Sequence, residues 1–153
     1  MIHNDVLRSV RYMLALNEQK MVEIFKLANF AAKPWEITAF MKKEEEDGFI
    51  HCPDIVMGNF LNGLIYFKRG KDESRPAPEV TIPVTNNTVL KKLRVAFELK
   101  DTDMHDIFAS VGFPISKPEL SAFFRAEGSK NFRDCEDQYL RNFLKGLTMR
   151  VRK

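Results

Sequence analysis

Apolar residues in this chain recur three and four positions apart, the spacing that lines one face of a helix, and no window alternates as a half-buried strand would with comparable strength. Val6, Leu7, Val10 and Leu14 mark a first helix over about 4–14, and Met21, Ile24, Phe25 and Ala28 a second over about 18–28. Ile37, Phe40 and Met41 give a third, beginning near Pro34, whose fixed φ suits a helix's first turn. Met57, Phe60, Leu61 and Leu64 give a fourth, opening at Pro53 and running to about Arg69. Residues 79–84 are short and β-branched enough to be extended.

The pattern then repeats. Slid along itself, the sequence aligns residues 3–70 with 86–153 without a gap, and about a third of the pairs are identical, which marks a duplication. The first stripe returns as Val89, Leu90, Leu93 and Phe97, and the second as Met104, Ile107, Phe108 and Val111. Leu120, Phe123 and Phe124 follow a start near Pro118; Leu140, Phe143, Leu144 and Leu147 lie on a helix from Glu136 to about Arg152. The string Asn59-Phe60-Leu61-x-Gly63-Leu64 recurs as Asn142-Phe143-Leu144-x-Gly146-Leu147. Residues 71–85, with Pro76, Pro78 and Pro83 among charges, have the composition of a linker. The expected fold is all-α: two tandem homologous four-helix repeats, 3–70 and 86–153, joined by a Pro-rich linker.

Polar punctuation fits these boundaries. Asn4 and Asn87 read as N-caps, Ser116 with Glu119 as a capping box, and Gly112, with Asn29 at the same place in the first copy, as left-handed C-caps. The polar residues common to both copies are Asn4, Arg11, Glu36, Cys52, Asp54, Asn59 and Arg69, matched by Asn87, Arg94, Glu119, Cys135, Asp137, Asn142 and Arg152. Glu36 and Asp54 fall in first helical turns, where the dipole favours a carboxylate, and Arg11 is expected to pair with one of them. Cys52 and Cys135 stand at the start of the fourth helix, where a thiol can be activated, but neither copy repeats an adjacent His, so they read as small buried residues. A glycine inside a helix costs about 1 kcal/mol relative to Ala, so the recurring Gly63 and Gly146, with Asn59 and Asn142 four residues earlier, are candidate packing positions where another backbone comes close.

Composition narrows the function. An apolar content of 44% with 13 Phe supports a packed core without disulfides, and two cysteines far apart suit a reducing compartment. Charges interrupt the first twenty residues and no stretch nears the roughly 20 apolar residues of a membrane span, so a cytoplasmic protein without membrane attachment is expected. His3, His51 and His105 share no ligand motif, and the seven glycines form no phosphate loop, so neither metal nor cofactor is expected. The acidic run 44–47 is not repeated at 127–130 and reads as a solvated loop.

The opening Asn4-Asp5-Val6-Leu7-Arg8-Ser9-Val10-Arg11-Tyr12, the segment Met21-Val22-Glu23-Ile24-Phe25 and the twice-used Asn-Phe-Leu-x-Gly-Leu resemble the YehS-like family of bacterial cytoplasmic proteins. The resemblance covers essentially the whole chain. It implies a duplicated domain and a cytoplasmic location, and carries no established activity or catalytic residue.

Two functions compete. A non-enzymatic protein-interaction module, binding a protein partner or a second copy of itself, would use the paired repeats, with Trp35 exposed at a helix start and Tyr66 and Phe67 ending a helix. Nucleic-acid binding is the alternative. The second and third helices of the second copy have a helix-turn-helix outline, Lys117, Ser121 and Arg125 lie on the third helix, and Lys130 and Arg133 follow. Net charge is +3, and residues 86–153 hold the excess, with 13 Lys and Arg against 9 Asp and Glu, where residues 3–70 hold 9 of each.

Overall fold

The computed structural model describes residues 1–153 and contains eight helices and no strand. They are α1 (His3–Met13), α2 (Glu18–Leu27), α3 (Pro34–Met41) and α4 (Asp54–Arg69), then α5 (Asn86–Ala96), α6 (Asp101–Ser110), α7 (Lys117–Phe123) and α8 (Asp137–Val151). The chain divides into two compact units, Met1–Val84 and Thr85–Lys153.

In the first unit α4 packs chiefly on α2, and α3 covers α1 and α2. Phe25 and Phe60 meet with ring centroids 5.4 Å apart, and Leu7, Val10, Met21, Ile24 and Met57 close the core around them. The second unit builds its core the same way, with α6 on α8 and Phe108 against Phe143 at 5.7 Å. Segment 71–85 forms no element of its own, yet it is attached: Pro78 O accepts from Asn62 at 3.3 Å, and Val80 lies over Gly58. Val84 is buried.

The turns explain why certain apolar residues are identical in both copies. After α1 the chain passes through left-handed Ala15, and Leu16 N returns to Arg11 O at 2.9 Å while Ala15 N bonds Tyr12 O. This pair of bonds is a Schellman ending, which sets an apolar residue just beyond the helix against its last turns. The same ending follows α2 with Asn29 and Phe30, α5 with Glu98 and Leu99, and α6 with Gly112 and Phe113. Leu16, Phe30, Leu99 and Phe113 are therefore the plugs of four helix ends; Phe30 stacks at 5.7 Å on Phe25.

Asn4 and Asn87 do not cap helices. Ile2 and Thr85 hold those positions, and Thr85 accepts from Thr88 N at 3.2 Å. Asn4 is instead wholly buried inside α1, where its amide donates to Phe40 O at 3.0 Å and Ile50 O at 2.8 Å and accepts from Cys52 N at 3.0 Å. Asn87 makes the same three bonds, to Phe123 O, Arg133 O and Cys135 N. One carboxamide has two donors and one acceptor, enough to satisfy three backbone groups that an irregular loop leaves unpaired. Each asparagine thus ties the loop between the third and fourth helices to the first.

Candidate functional site

The second repeat opens a cleft of about 620 Å³ where the end of α5, the start of α6 and the outer face of α7 converge. Lys117 and Ser121 are four residues apart on α7, so they share one face, and Arg125 continues it beyond the helix end. Asp101, Thr102 and His105 supply the facing wall from α6, Arg94 reaches in from α5, and Leu120 and Phe124 form the apolar floor.

Arg94 is held from three sides. Its Nε donates to Leu99 O at 3.1 Å, its Nη2 pairs with Asp101 Oδ1 at 2.6 Å, and its guanidinium lies 4.8 Å from the centre of the Phe124 ring. The acceptor Leu99 O belongs to the Schellman turn after α5, so the helix ending itself fixes the arginine. The expected partner was a carboxylate in the first turn of the third or fourth helix. Those are used otherwise: Asp54 pairs with His3 at 2.6 Å, Asp137 accepts from Asn86 at 2.8 Å, and Glu119 accepts from Ser116 N. Lys117 and Arg125 enter no ion pair, so three cations face the single carboxylate of Asp101.

The five residues nominated for nucleic acid separate. Lys117, Ser121 and Arg125 share the cleft, whereas Lys130 is exposed in the loop after α7, outside it. Arg133 is committed to its own repeat: it pairs with Glu119 at 3.3 Å, donates to Tyr139 Oη at 3.2 Å and lies over the Tyr139 ring. Hydrogen bonds from the Ser116 amide and hydroxyl hold the Glu119 carboxyl below its usual range, so it faces Arg133 as a carboxylate at neutral pH.

The other candidates are structural in their contacts. Asn59 and Asn142 donate back along their own helix, each at 2.8 Å, to Ile55 O and Gln138 O. Gly63 and Gly146 are buried where α4 meets α2 and α8 meets α6; a Cβ at Gly63 would lie 2.0 Å from Ile24 O, and one at Gly146 2.4 Å from Ile107 O. Cys52 and Cys135 are buried, and burial, with a further push from Asp54 or Asp137, raises each thiol to about 12. Neither is a thiolate nucleophile at neutral pH. No three His, Cys, Asp or Glu side chains gather within reach of one metal ion.

The first repeat holds different groups at the matching positions. Arg11 is exposed and pairs with no carboxylate, Glu18 accepts the Thr38 hydroxyl at 2.6 Å, and Lys42 turns to Asp47 O at 2.7 Å. Pro34 replaces Lys117, Val22 replaces His105, and Met41 replaces Phe124.

Residues 3–70 and 86–153 each match the family model described as a protein of unknown function, DUF1456. The chain belongs to this family. It is 53% identical over 150 residues to the Uncharacterized protein YehS of Escherichia coli strain K12, covering 98% of this chain and 96% of that one. No solved structure matches the chain. The family thus accounts for the duplication, and the cleft is a feature of its second copy. No helix is long and apolar enough to cross a membrane.

Proposed function

We propose that this chain is a non-enzymatic interaction module in which the cleft of the second repeat receives a segment of a protein partner. The observation that carries this reading is the cleft itself, a concavity of about 620 Å³ with an apolar floor and three cations on its walls. Such a site offers apolar contact and charge complementarity together, as peptide-binding grooves do.

Nucleic-acid binding is the second reading, favoured by the excess positive charge of residues 86–153 and by Lys117, Ser121 and Arg125 on one face of α7. A helix that reads duplex DNA enters the major groove as a projecting ridge. In this chain that face of α7 is the wall of a hollow. The comparison weighs toward a chain entering the protein rather than the protein entering a duplex.

The experiment compares the intact protein with its Lys117→Gln, Arg125→Gln double variant. Both are screened against displayed random peptides and titrated with mixed-sequence duplex DNA and RNA at two salt concentrations. Peptides enriched by the wild type and not by the variant support the module. Salt-sensitive nucleic-acid binding that the substitutions abolish, with no peptide enriched, overturns it.

A further inference from the structure

We infer that the occupant of this cleft is an acidic peptide segment, and that one of its carboxylates takes the place on Arg94 now held by Asp101. This rests on the interaction-module reading and names its ligand class. Arg94 is a prepared fork: the turn after α5 holds its Nε through Leu99 O, and Phe124 supports its plane. Its Nη2 already carries a carboxylate at 2.6 Å, so the geometry is one that a carboxylate satisfies.

Asp101 is suited to leave. Its side chain is 74% exposed while Arg94 is 27% exposed, so an incoming acid displaces a well-solvated group and keeps the more sheltered half of the bridge. Asp101 also opens α6, where the helix N-terminus favours its charge without Arg94. Lys117 and Arg125, which enter no ion pair, would meet further acidic residues on the opposite wall. Single-stranded nucleic acid is the weaker fit, because bases stack on open aromatic faces and the Arg94 guanidinium lies over the Phe124 ring of this cleft.

In the first repeat the corresponding arrangement is undone. Glu18 is engaged by Thr38, Met41 offers no ring beneath Arg11, and Pro34 removes the cation of Lys117. The acidic ligand is therefore assigned to the second repeat.

The test uses the full chain and three fluorescein-labelled probes: a twelve-residue peptide alternating Glu and Leu, its Gln and Leu counterpart, and a mixed-sequence single-stranded oligonucleotide. Anisotropy titrations are run on the wild type, Asp101→Asn and Arg94→Gln, each checked for wild-type circular dichroism and melting. The Glu–Leu peptide should bind and the Gln–Leu peptide should not; Asp101→Asn should tighten binding about three- to fivefold, the scale of releasing one exposed ion pair, and Arg94→Gln should weaken it at least tenfold. Unchanged or weaker binding by Asp101→Asn overturns the exchange of carboxylates. If neither peptide binds but the display screen yields a non-acidic peptide that requires Lys117 and Arg125, the ligand class is wrong and the module reading survives. Oligonucleotide binding without peptide binding defeats both.

Discussion

Replacing Gly63 by Ala asks how much of the fold depends on the contact between α4 and α2. The new Cβ would stand 2.0 Å from Ile24 O and 2.9 Å from the Ile24 carbonyl carbon, atoms of a helix backbone that cannot rotate aside. The two helices must part by about 1 Å, and overpacking of this kind costs about 1–3 kcal/mol, the upper end where nothing flexible can yield. Against it stands the helix propensity of Ala over Gly, about 1 kcal/mol. The net expectation is a loss of about 2 kcal/mol for Gly63→Ala and about 1 kcal/mol for Gly146→Ala, whose clash is milder at 2.4 Å. Gly58 is the internal comparison: a Cβ there meets the Val80 side chain at 2.3 Å, in a segment without secondary structure that can shift more readily than a helix backbone, so Gly58→Ala should cost less than Gly63→Ala. Thermal melts followed by circular dichroism read the series, since for domains of 60–100 residues 1 kcal/mol moves Tm by about 4–8 °C. A Gly63→Ala protein that melts at or above the wild type would refute the close-approach argument, as would a Gly58→Ala loss equal to that of Gly63→Ala.

Two further outcomes follow from buried groups. Asn4→Ala strands Phe40 O, Ile50 O and Cys52 N in the interior and should cost about 2–4 kcal/mol in urea unfolding, with Asn87→Ala costing less because its surroundings admit water; equal, small losses would show that the clamp is dispensable. Cys52 and Cys135 should resist iodoacetamide at pH 8 in the native chain and react in urea. Because their thiols rise from 9.0 to about 12 on folding, the unfolded chain ionises first, so the stability they contribute is intact below pH 9 and falls as pH climbs toward 12. Rapid native alkylation, or stability flat across that window, would contradict the assignment.

The helices were legible because their signal is local. Apolar spacing, Pro34, the Ser116–Glu119 box and Gly112 place boundaries within a residue or two of those observed. Asn4 was misread because an asparagine near a helix start has two uses, and sequence cannot show that an irregular loop 36 to 48 residues away needs its amide. The cleft was legible only by half. Lys117, Ser121 and Arg125 announce themselves by their spacing, but Asp101, Thr102 and His105 look like any polar face of α6, and their place opposite α7 depends on the turn between the two helices. Arg94 carried a usable signal, being common to both copies, but the carboxylates expected for it, Glu119 and Asp137, are taken by Ser116 and Asn86, and its partner Asp101 is brought to it by the turn after α5.

Duplication within one chain separates what the scaffold needs from what one copy has made of it. The ring pairs, the asparagine clamps and the helix-crossing glycines are identical in both repeats and make equivalent contacts in both units, and the identical Schellman plugs close equivalent turns. Arg11 and Arg94 break that rule: the residue is the same, yet only Arg94 has a platform, because Phe124 stands where the first copy has Met41 and Asp101 is free of the Thr38-type bond that occupies Glu18. Packing cannot explain the difference, since Arg11 is exposed and its repeat folds without engaging it. What changed between the copies is a handful of residues on one hollow: Lys117 adds a cation where the first copy has Pro34, Phe124 puts a ring beneath the arginine where it has Met41, and Arg125 keeps the charge of Lys42. A surplus of positive charge spread for solubility would have no reason to collect there. Its collection around a sheltered arginine is what makes the second repeat, and not the fold as a whole, the place where binding should be sought.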